Sequence, residues 1–147
     1  AVQRITEAGK PAGSIRMPTG GDVRRHLVLA NRLVHSSYLI RRSALDHVGG
    51  YKPEHLQMDD YDLALRLAQL GPIAVLPQEL TEYRVHTDQV SRGAKPRGEY
   101  IDRVIKLRKA LGKTLGMSWL GVAARNLVWQ AIQYTRYYRI TKPGHEY

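Results

Sequence analysis

Glycine and proline residues interrupt the first two thirds of this sequence at short intervals. The strongest interruptions are Pro18-Thr19-Gly20-Gly21, Gly49-Gly50 and Gly71-Pro72. Glycine adopts left-handed backbone angles without steric cost and proline has no amide hydrogen, so such residues tend to end helices and strands. Only short elements fit between these breaks, whereas the final third of the chain has room for two longer helices.

The segments between the breaks alternate in type. Short apolar runs bounded by turn residues predict strands at 2–5, 14–17, 36–40, 73–76 and 80–85. Capping residues predict the starts of helices at 22–29, 43–48 and 59–70. Two further helices are predicted at 99–111 and 117–140, separated by Gly112 and Gly116. The alternation of strands and helices indicates an α/β layer architecture.

The composition limits the class of protein. The chain has 147 residues, 43% hydrophobic and 24% charged, which is ordinary for a soluble globular protein able to bury a core. It contains no cysteine, which excludes a disulfide scaffold or a thiolate metal site and fits a reducing compartment. No apolar run approaches the roughly 20 residues of a membrane-spanning helix. We therefore expect a folded, cytoplasmic piece the size of one domain.

Charge is distributed unevenly along the chain. The formal net charge is +10, and residues 97–147 carry ten Lys and Arg against three acids. Acids gather instead in the middle around a single lysine, Lys52; they are Asp46, Glu54, Asp59, Asp60 and Asp62. A basic periphery around an acidic patch suggests an anionic partner outside and chemistry inside, although a solvated surface is the usual role of a charge run.

The sharpest local motif is Met58-Asp59-Asp60-Tyr61-Asp62-Leu63 at a predicted helix start. Three carboxylates within four positions repel one another, and the free amides and dipole of a helix N-terminus offset that repulsion. A carboxylate held there beside another acid can act as a general base or bind a divalent cation. Taken alone, the motif favours plain helix capping over catalysis.

A second polar group follows the last predicted strand. In Tyr83-Arg84-Val85-His86 the strand alternation places Arg84 and His86 on one face. Arg84 suits pairing with a phosphate, and His86 suits ligating a metal or contacting a diphosphate. The alternative is an edge-strand ion pair and a solvent-facing histidine.

Four blocks occur in a set order along residues 1–92. They are the stretch 31–45, Val-Gly-Gly-Tyr at 48–51, Asp-Asp-Tyr-Asp-Leu-Ala-Leu-Arg-Leu at 59–67, and Leu-Thr-Glu-Tyr-Arg-Val-His at 80–86 followed by Ser91. In this combination the sequence resembles the second half of the family 2 inverting glycosyltransferases. The resemblance implies a GT-A fold, which is a Rossmann-like nucleotide-diphospho-sugar transferase domain, here partial and followed by C-terminal helices.

The resemblance also implies roles for individual residues. Asp59 matches the first acid of the family's acidic pair, and Asp60 matches the base that deprotonates the acceptor hydroxyl. By resemblance the remaining site residues divide into an acceptor side and a donor diphosphate side, with one position also implied as a metal ligand. They are Gly49, Gly50 and Tyr51 for the acceptor, Arg84 and His86 for the donor, and His86 for the metal.

The family's Asp-x-Asp motif, which holds Mg²⁺ or Mn²⁺ and the donor diphosphate, is expected before Ala1. The one Asp-x-Asp present, at 60–62, belongs to the acceptor block. The resemblance therefore implies that 1–92 is the acceptor-side half of the domain, that the donor-binding half is absent, and that this chain alone is inactive. The implied reaction moves a sugar from a nucleotide sugar to a saccharide or lipid-linked acceptor, as in cell-wall or polysaccharide biosynthesis.

The basic helical extension at 97–147 has three interpretations. Its apolar helix at 117–140 could lie on the inner face of an anionic membrane, which suits a lipid-linked acceptor. Packing on the domain, or on another subunit in a homo-oligomer, is favoured because its apolar positions are widely spread. The rival function is a non-catalytic module that binds nucleic acid or another polyanion, with Tyr134, Tyr137 and Tyr138 among Arg136 and Arg139.

Overall fold

The computed structural model of the protein describes residues 1–52, 58–86 and 98–140, with side chains described as far as residue 135 in the last helix. Its sheet has three strands, β1 (Val2–Ile5), β2 (Pro11–Ile15) and β3 (Glu82–Arg84), in the order β2-β1-β3. Five helices accompany it: α1 (Arg24–Leu27), α2 (Arg42–His47), α3 (Asp59–Leu70), α4 (Gly98–Thr114) and α5 (Trp119–Ile140). The expected mixture of strands and helices is confirmed.

The register of the sheet explains how the chain is wound. β1 pairs with β2 in antiparallel fashion, with Val2 opposite Ile15, across a tight turn closed by the bond from the Thr6 amide to the Lys10 carbonyl (2.8 Å). β1 pairs with β3 in parallel fashion, with Gln3 opposite Glu82. A parallel pair needs a long connection, and the segment between β2 and β3 contains α1, α2 and α3.

Two of the predicted strands are absent, and the bounds of a third are wrong. Residues 36–40 form no strand, because His35–Ser37 make a 3₁₀ turn in which the Ser37 hydroxyl bonds the Val34 carbonyl (2.7 Å), and Leu39 is 100% exposed. Residues 73–76 form no strand, since the Ile73 carbonyl accepts instead from the Val23 amide (2.8 Å). The second strand ends at Ile15 rather than spanning 14–17.

The helix starts also differ from expectation. α1 begins at Arg24 with Val23 as its N-cap residue, so Asp22 lies one residue before the cap, where its Oδ1 accepts from the Arg24 amide (3.1 Å). α2 begins at Arg42, so Ser43 lies inside the helix and no side chain caps it. The predicted helix at 59–70 is confirmed at both ends, and α4 and α5 each begin within two residues of the expected position.

The core lies where α3, α4 and α5 stack side by side. Its members are apolar and buried, among them Leu65, Ala68, Ile101, Val104, Leu111, Val122 and Trp129. The close approach of α4 and α5 depends on Gly112, because a Cβ atom there would stand 2.5 Å from Val122 Cγ2. One face of α5 is therefore packed on the domain.

A buried arginine joins α4 to α5 and to the end of α1. Arg108 on α4 is fully buried and its Nη2 donates to the carbonyls of Val28 (2.5 Å) and Arg125 (3.0 Å). Its guanidinium also lies 4.9 Å from the ring centre of Trp129. The arginine thus ties the end of α1 to α5 through backbone carbonyls. Within the part of the chain that the structure describes, no helix combines the length and the apolarity needed to cross a bilayer.

Candidate active site

The acidic motif occupies the first turn of α3. Met58 is the N-cap residue, so Asp59 and Asp60 are the first two helical residues. The Met58 side chain makes no capping bond. The Oδ1 atom of Asp60 accepts a 2.6 Å bond from the Tyr61 amide. Amides in a first turn have no partner within the helix and favour a negative charge, which explains why the helix tolerates adjacent acids.

The second oxygen of Asp60 is reached from another part of the chain. Asn31, which follows α1, donates from Nδ2 to Asp60 Oδ2 (3.1 Å). Asn31 is itself positioned because its Oδ1 accepts from the Leu33 amide (3.2 Å). Both oxygens of Asp60 are therefore contacted by neutral donors, and among the described residues no Lys or Arg pairs with this carboxylate.

This environment shifts the proton affinity of Asp60. Burial raises the pKa of the carboxyl above its ordinary value, and the neighbouring charge of Asp59 adds to the rise. The Tyr61 amide, His35 and Asn31 oppose the rise without cancelling it. A half-buried carboxyl with a raised pKa can accept a proton at neutral pH and hold it transiently.

Three aromatic side chains form a cluster near the carboxyl, close enough for their pKa values or its own to be affected. Exposed His35 has its Nε2 atom 2.6 Å from the Tyr51 hydroxyl, and its ring centre is 5.4 Å from that of Tyr51 and 5.3 Å from that of Tyr38. Burial raises the pKa of Tyr38 and of Tyr51, and the charge of Asp60 adds to both. The Tyr38 hydroxyl is buried and has no hydrogen-bond partner in the described ranges 1–52, 58–86 and 98–140.

The turn after α2 delivers Tyr51 to this place. Gly49 and Gly50 have φ angles of +72° and +62°, which side chains other than glycine rarely adopt. Their amides bond back to the carbonyls of Asp46 and Leu45 (3.0 Å each), the pattern of a Schellman C-cap. The structure thus brings the predicted acceptor-side residue Tyr51 together with the predicted acidic pair, and assigns the two glycines to the turn that positions it.

The third acid of the motif has a different role. Asp62 is 1% exposed and its two oxygens pair with Arg66 Nε (2.6 Å) and Arg103 Nε (2.7 Å). Arg66 also donates to the Val48 carbonyl (2.7 Å) at the end of α2. Asp62 therefore joins α3 to α4 and, through Arg66, to the turn that carries Tyr51.

The predicted donor-side residues lie at β3. Arg84 Nη1 donates to the carbonyls of Thr6 (3.2 Å) and Glu7 (2.7 Å) in the β1–β2 turn. His86 follows β3 and is half-buried. Across residues 1–52, 58–86 and 98–140, no three side chains of the His, Asp or Glu type converge as a metal site would require. The donor roles of Arg84 and His86, and the metal role of His86, stay predictions.

The sequence motifs did not indicate Asn31 or Tyr38 as site residues, and they did not join His35 to Tyr51. Asn31 lies 29 positions before its partner Asp60, and His35 lies 16 positions before Tyr51. The block at 31–45 contains all three residues, so the resemblance marked the correct stretch. It did not indicate which of its side chains face the carboxyl.

Comparison with known proteins finds a relative that is an enzyme. The chain is 34% identical over 94 residues to a protein named amylovoran biosynthesis glycosyltransferase AmsE, from Erwinia amylovora. The chain is similar to a glycosyltransferase. The aligned stretch covers 63% of this chain and 35% of AmsE, so the chain spans about a third of the length of that relative. No protein-family profile matches the chain, and no solved structure matches it.

Proposed function

We propose that this chain is the acceptor-side part of an inverting glycosyltransferase of the family 2, GT-A type, and that Asp60 is its general base. The observation that carries the proposal is the half-buried carboxyl of Asp60, held at a helix N-terminus by two neutral donors and with its pKa raised. A base needs a pKa closer to neutrality than that of an exposed aspartate. The similarity to AmsE supports glycosyl transfer as the reaction class.

In the proposed step, Asp60 removes the proton of an acceptor hydroxyl. The acceptor oxygen forms a bond to the anomeric carbon of the donor sugar as the bond from that carbon to the diphosphate oxygen breaks. The nucleoside diphosphate leaves with the electron pair, and attack from the opposite side inverts the anomeric configuration. Asp60 is left protonated and returns its proton to solvent.

The acceptor is proposed to lie against His35, Tyr38 and Tyr51. Aromatic faces pack on the apolar faces of sugar rings, and the hydroxyl and imidazole groups offer hydrogen bonds to sugar hydroxyls. His35 and Tyr51 are exposed whereas Asp60 is half-buried behind them, so a bound hydroxyl could reach the carboxyl from solvent. A saccharide or a lipid-linked saccharide fits this surface equally well.

The donor nucleotide sugar is proposed to bind mainly to a part of the protein outside this chain. Arg84 and His86 are the residues that we propose contribute from this side. Mg²⁺ or Mn²⁺ is expected with such a donor. The described residues offer no group of three ligands, so we propose that His86 is a single ligand contributed from this side and that the other ligands come from outside this chain.

An open apolar groove supports this division of the domain. It has a volume of about 780 Å³ and is lined mainly by residues 32–41, by Ala64, Leu67 and Leu70 of α3, and by residues 71–81. It exposes large apolar side chains, including Leu39, Leu76 and Leu80. Because AmsE is about three times as long as the aligned stretch, we propose that the remainder of the transferase domain packs into this groove, in an enzyme facing the cytoplasm.

Substitution of the base tests the proposal in the intact protein. Asp60→Asn keeps the size and one acceptor of the side chain but cannot take a proton, so we expect transfer to fall about 10³-fold. The measurement is nucleoside diphosphate released from a panel of nucleotide sugars in the presence of acceptor, with donor binding measured by calorimetry and expected to be nearly unchanged.

Asp59→Asn is the matched control, because Asp59 occupies the same turn and accepts no hydrogen bond from the described residues; its loss should be much smaller. If Asp60→Asn retains transfer and Asp59→Asn does not, the base is Asp59. If both variants retain transfer, neither acid is the base and the proposed mechanism is wrong.

A further inference from the structure

The two faces of α5 differ in their surroundings but not in their apolar character. One face packs on α4 through Val122 and Trp129, with buried Asn126 between them. The opposite face is also apolar, and we call it the outer stripe. Its large members are each more than half exposed: Leu120, Leu127, Val128 and Ile132. Ala124 and Ala131 fill the spacing between them, also exposed.

This spacing is that of a continuous helical surface. The outer-stripe positions recur at intervals of three, four and seven residues, so they line one side of the helix. Trp119, 76% exposed, stands at its beginning. A surface helix of a soluble domain usually turns charged residues to this side, and a contiguous apolar stripe in their place marks a surface that meets something apolar.

The charged residues of α5 itself are all of one sign. The sequence of α5 contains no Asp or Glu, and its three charged residues are Arg125, Arg136 and Arg139. Position 125 is separated from the other two by 11 and 14 residues, close to whole helical turns, so all three positions fall along one edge of the stripe.

Further cations stand where α5 begins. Lys109 and Lys113 on α4 are exposed. They border a shallow apolar recess at the α4–α5 junction, whose other lining residues are Met117, Trp119, Val122 and Ala123. Ammonium groups beside an apolar recess and an exposed tryptophan match the lipid phosphates and acyl chains at a bilayer surface.

We propose that the outer stripe of α5 lies flat on an anionic lipid bilayer, with its apolar side chains among the acyl chains and its Arg and Lys residues at the headgroup phosphates. Twenty-two residues of helix give a contact about 33 Å long. This inference goes beyond the proposed function and does not depend on it.

Charge favours a bilayer over a second copy of the chain. In a symmetric pair the same patch meets itself, so the arginine edge and the lysines of one copy would face those of the other without any acid from α5 to compensate. An anionic bilayer supplies the opposite charge along the whole stripe, and each basic residue near its surface adds to the attraction.

The test is flotation of the intact protein with vesicles made of equal amounts of phosphatidylcholine and phosphatidylglycerol, compared with vesicles of phosphatidylcholine alone. We expect the protein to float with the anionic vesicles and not with the neutral ones. Leu120→Gln with Leu127→Gln should weaken binding to the anionic vesicles roughly tenfold or more. Lys113→Glu should weaken it several-fold, and added salt should do the same.

Two matched variants control for unspecific effects. Leu29→Gln makes the same change at an exposed leucine outside both α5 and the apolar groove, and Lys10→Glu makes the same charge change in the β1–β2 turn; both should bind like the unchanged protein. Circular dichroism of each variant verifies that the helix content is retained.

Four results would overturn the proposal. Binding that is lost in salt and to competing oligonucleotide, but is indifferent to the leucine substitutions, would indicate a polyanion-binding module. Dimerisation abolished by those substitutions would make the outer stripe an interface between copies. Equal binding to neutral vesicles would remove the role of charge. Absence of both vesicle binding and dimerisation would indicate that another part of the protein covers the stripe.

Discussion

Asp60 and Asp62 are two residues apart on one turn of α3, and they differ in burial and in ion pairing. Asp62 is sealed in the interior between two guanidinium groups, from Arg66 and Arg103. Asp60 is held by an amide of the backbone and the amide of Asn31, and among the described residues it pairs with no cation. The charge of Asp62 is balanced by two cations, whereas Asp60 lacks such an ion pair and has a raised pKa.

The difference follows from the direction in which each residue faces. Asp62 points toward α4, where Arg103 extends to it, and Tyr61 between the two acids turns into the core and bonds the Leu27 carbonyl. Asp60 points toward the segment after α1, from which the amide of Asn31 donates to it and the ring of His35 lies close enough to affect its pKa. A fixed ion pair holds a fold together, whereas a carboxylate without such a partner remains able to exchange a proton.

If Asp62 is structural, its substitution should lower the free energy of unfolding more than substitution of Asp60 or of an exposed acid does. Asp62→Asn leaves Arg66 and Arg103 without their shared counter-charge in a buried place, so we expect the free energy of unfolding to fall by about 3 kcal/mol. Urea denaturation of the intact protein measures it. Asp46→Asn is the control, since Asp46 forms an exposed i,i+4 pair with Arg42 and should cost no more than about 0.5 kcal/mol. Equal losses would mean that burial of the Asp62 cluster contributes nothing.

If the surroundings of Asp60 serve an acceptor, a neighbour of that carboxyl should affect catalysis and leave stability alone. Tyr51→Phe keeps the ring and removes the hydroxyl that lies 2.6 Å from His35 Nε2. Loss of about one hydrogen bond predicts a roughly fivefold decrease in kcat/KM for the acceptor, with the donor KM unchanged. Tyr134→Phe, at an exposed tyrosine on α5, should behave like the unchanged protein. A change in the donor KM alone would mean that Tyr51 contacts the donor rather than the acceptor, which would contradict the proposed site.

The features that the sequence predicted correctly depend on neighbouring residues. α3 was placed from 59 to 70 because its acids begin the helix and Gly71-Pro72 end it, and both signals are local. The turn at Gly49-Gly50 is local in the same sense. The coarse α/β class follows from how such segments alternate.

The features that the sequence could not supply depend on distant residues. The sequence motif does not show which of its three acids forms a buried ion pair. Asp62 does so because Arg103, 41 positions later, packs against it. The stretch 36–40 has the apolar content of a buried strand, but Leu39 is fully exposed because no neighbouring strand pairs with it in the described structure. Local pattern indicates which residues are apolar or charged, and tertiary contacts decide their roles.

The comparison of Asp60 with Asp62 also predicts that substitution of Asp60 raises the free energy of unfolding slightly, whereas substitution of Asp62 lowers it. Burial raises its pKa in the folded state, so the folded protein binds this proton more tightly than the unfolded chain does. Stability from this group is therefore fully present below the unfolded pKa and decreases as the pH rises through the interval up to the raised folded pKa. Asp60→Asn removes that loss while keeping an acceptor for the Tyr61 amide.

We accordingly expect Asp60→Asn to unfold with a free energy higher by on the order of 0.5 kcal/mol at neutral pH, a gain that disappears in acid where the aspartate is protonated. Denaturation of both proteins over a pH series measures the difference. A loss of stability at neutral pH as large as that of Asp62→Asn would make both acids structural and end the distinction between them. A gain that grows with pH would mean that the fold keeps Asp60 at some expense of stability, as expected of a residue retained for chemistry.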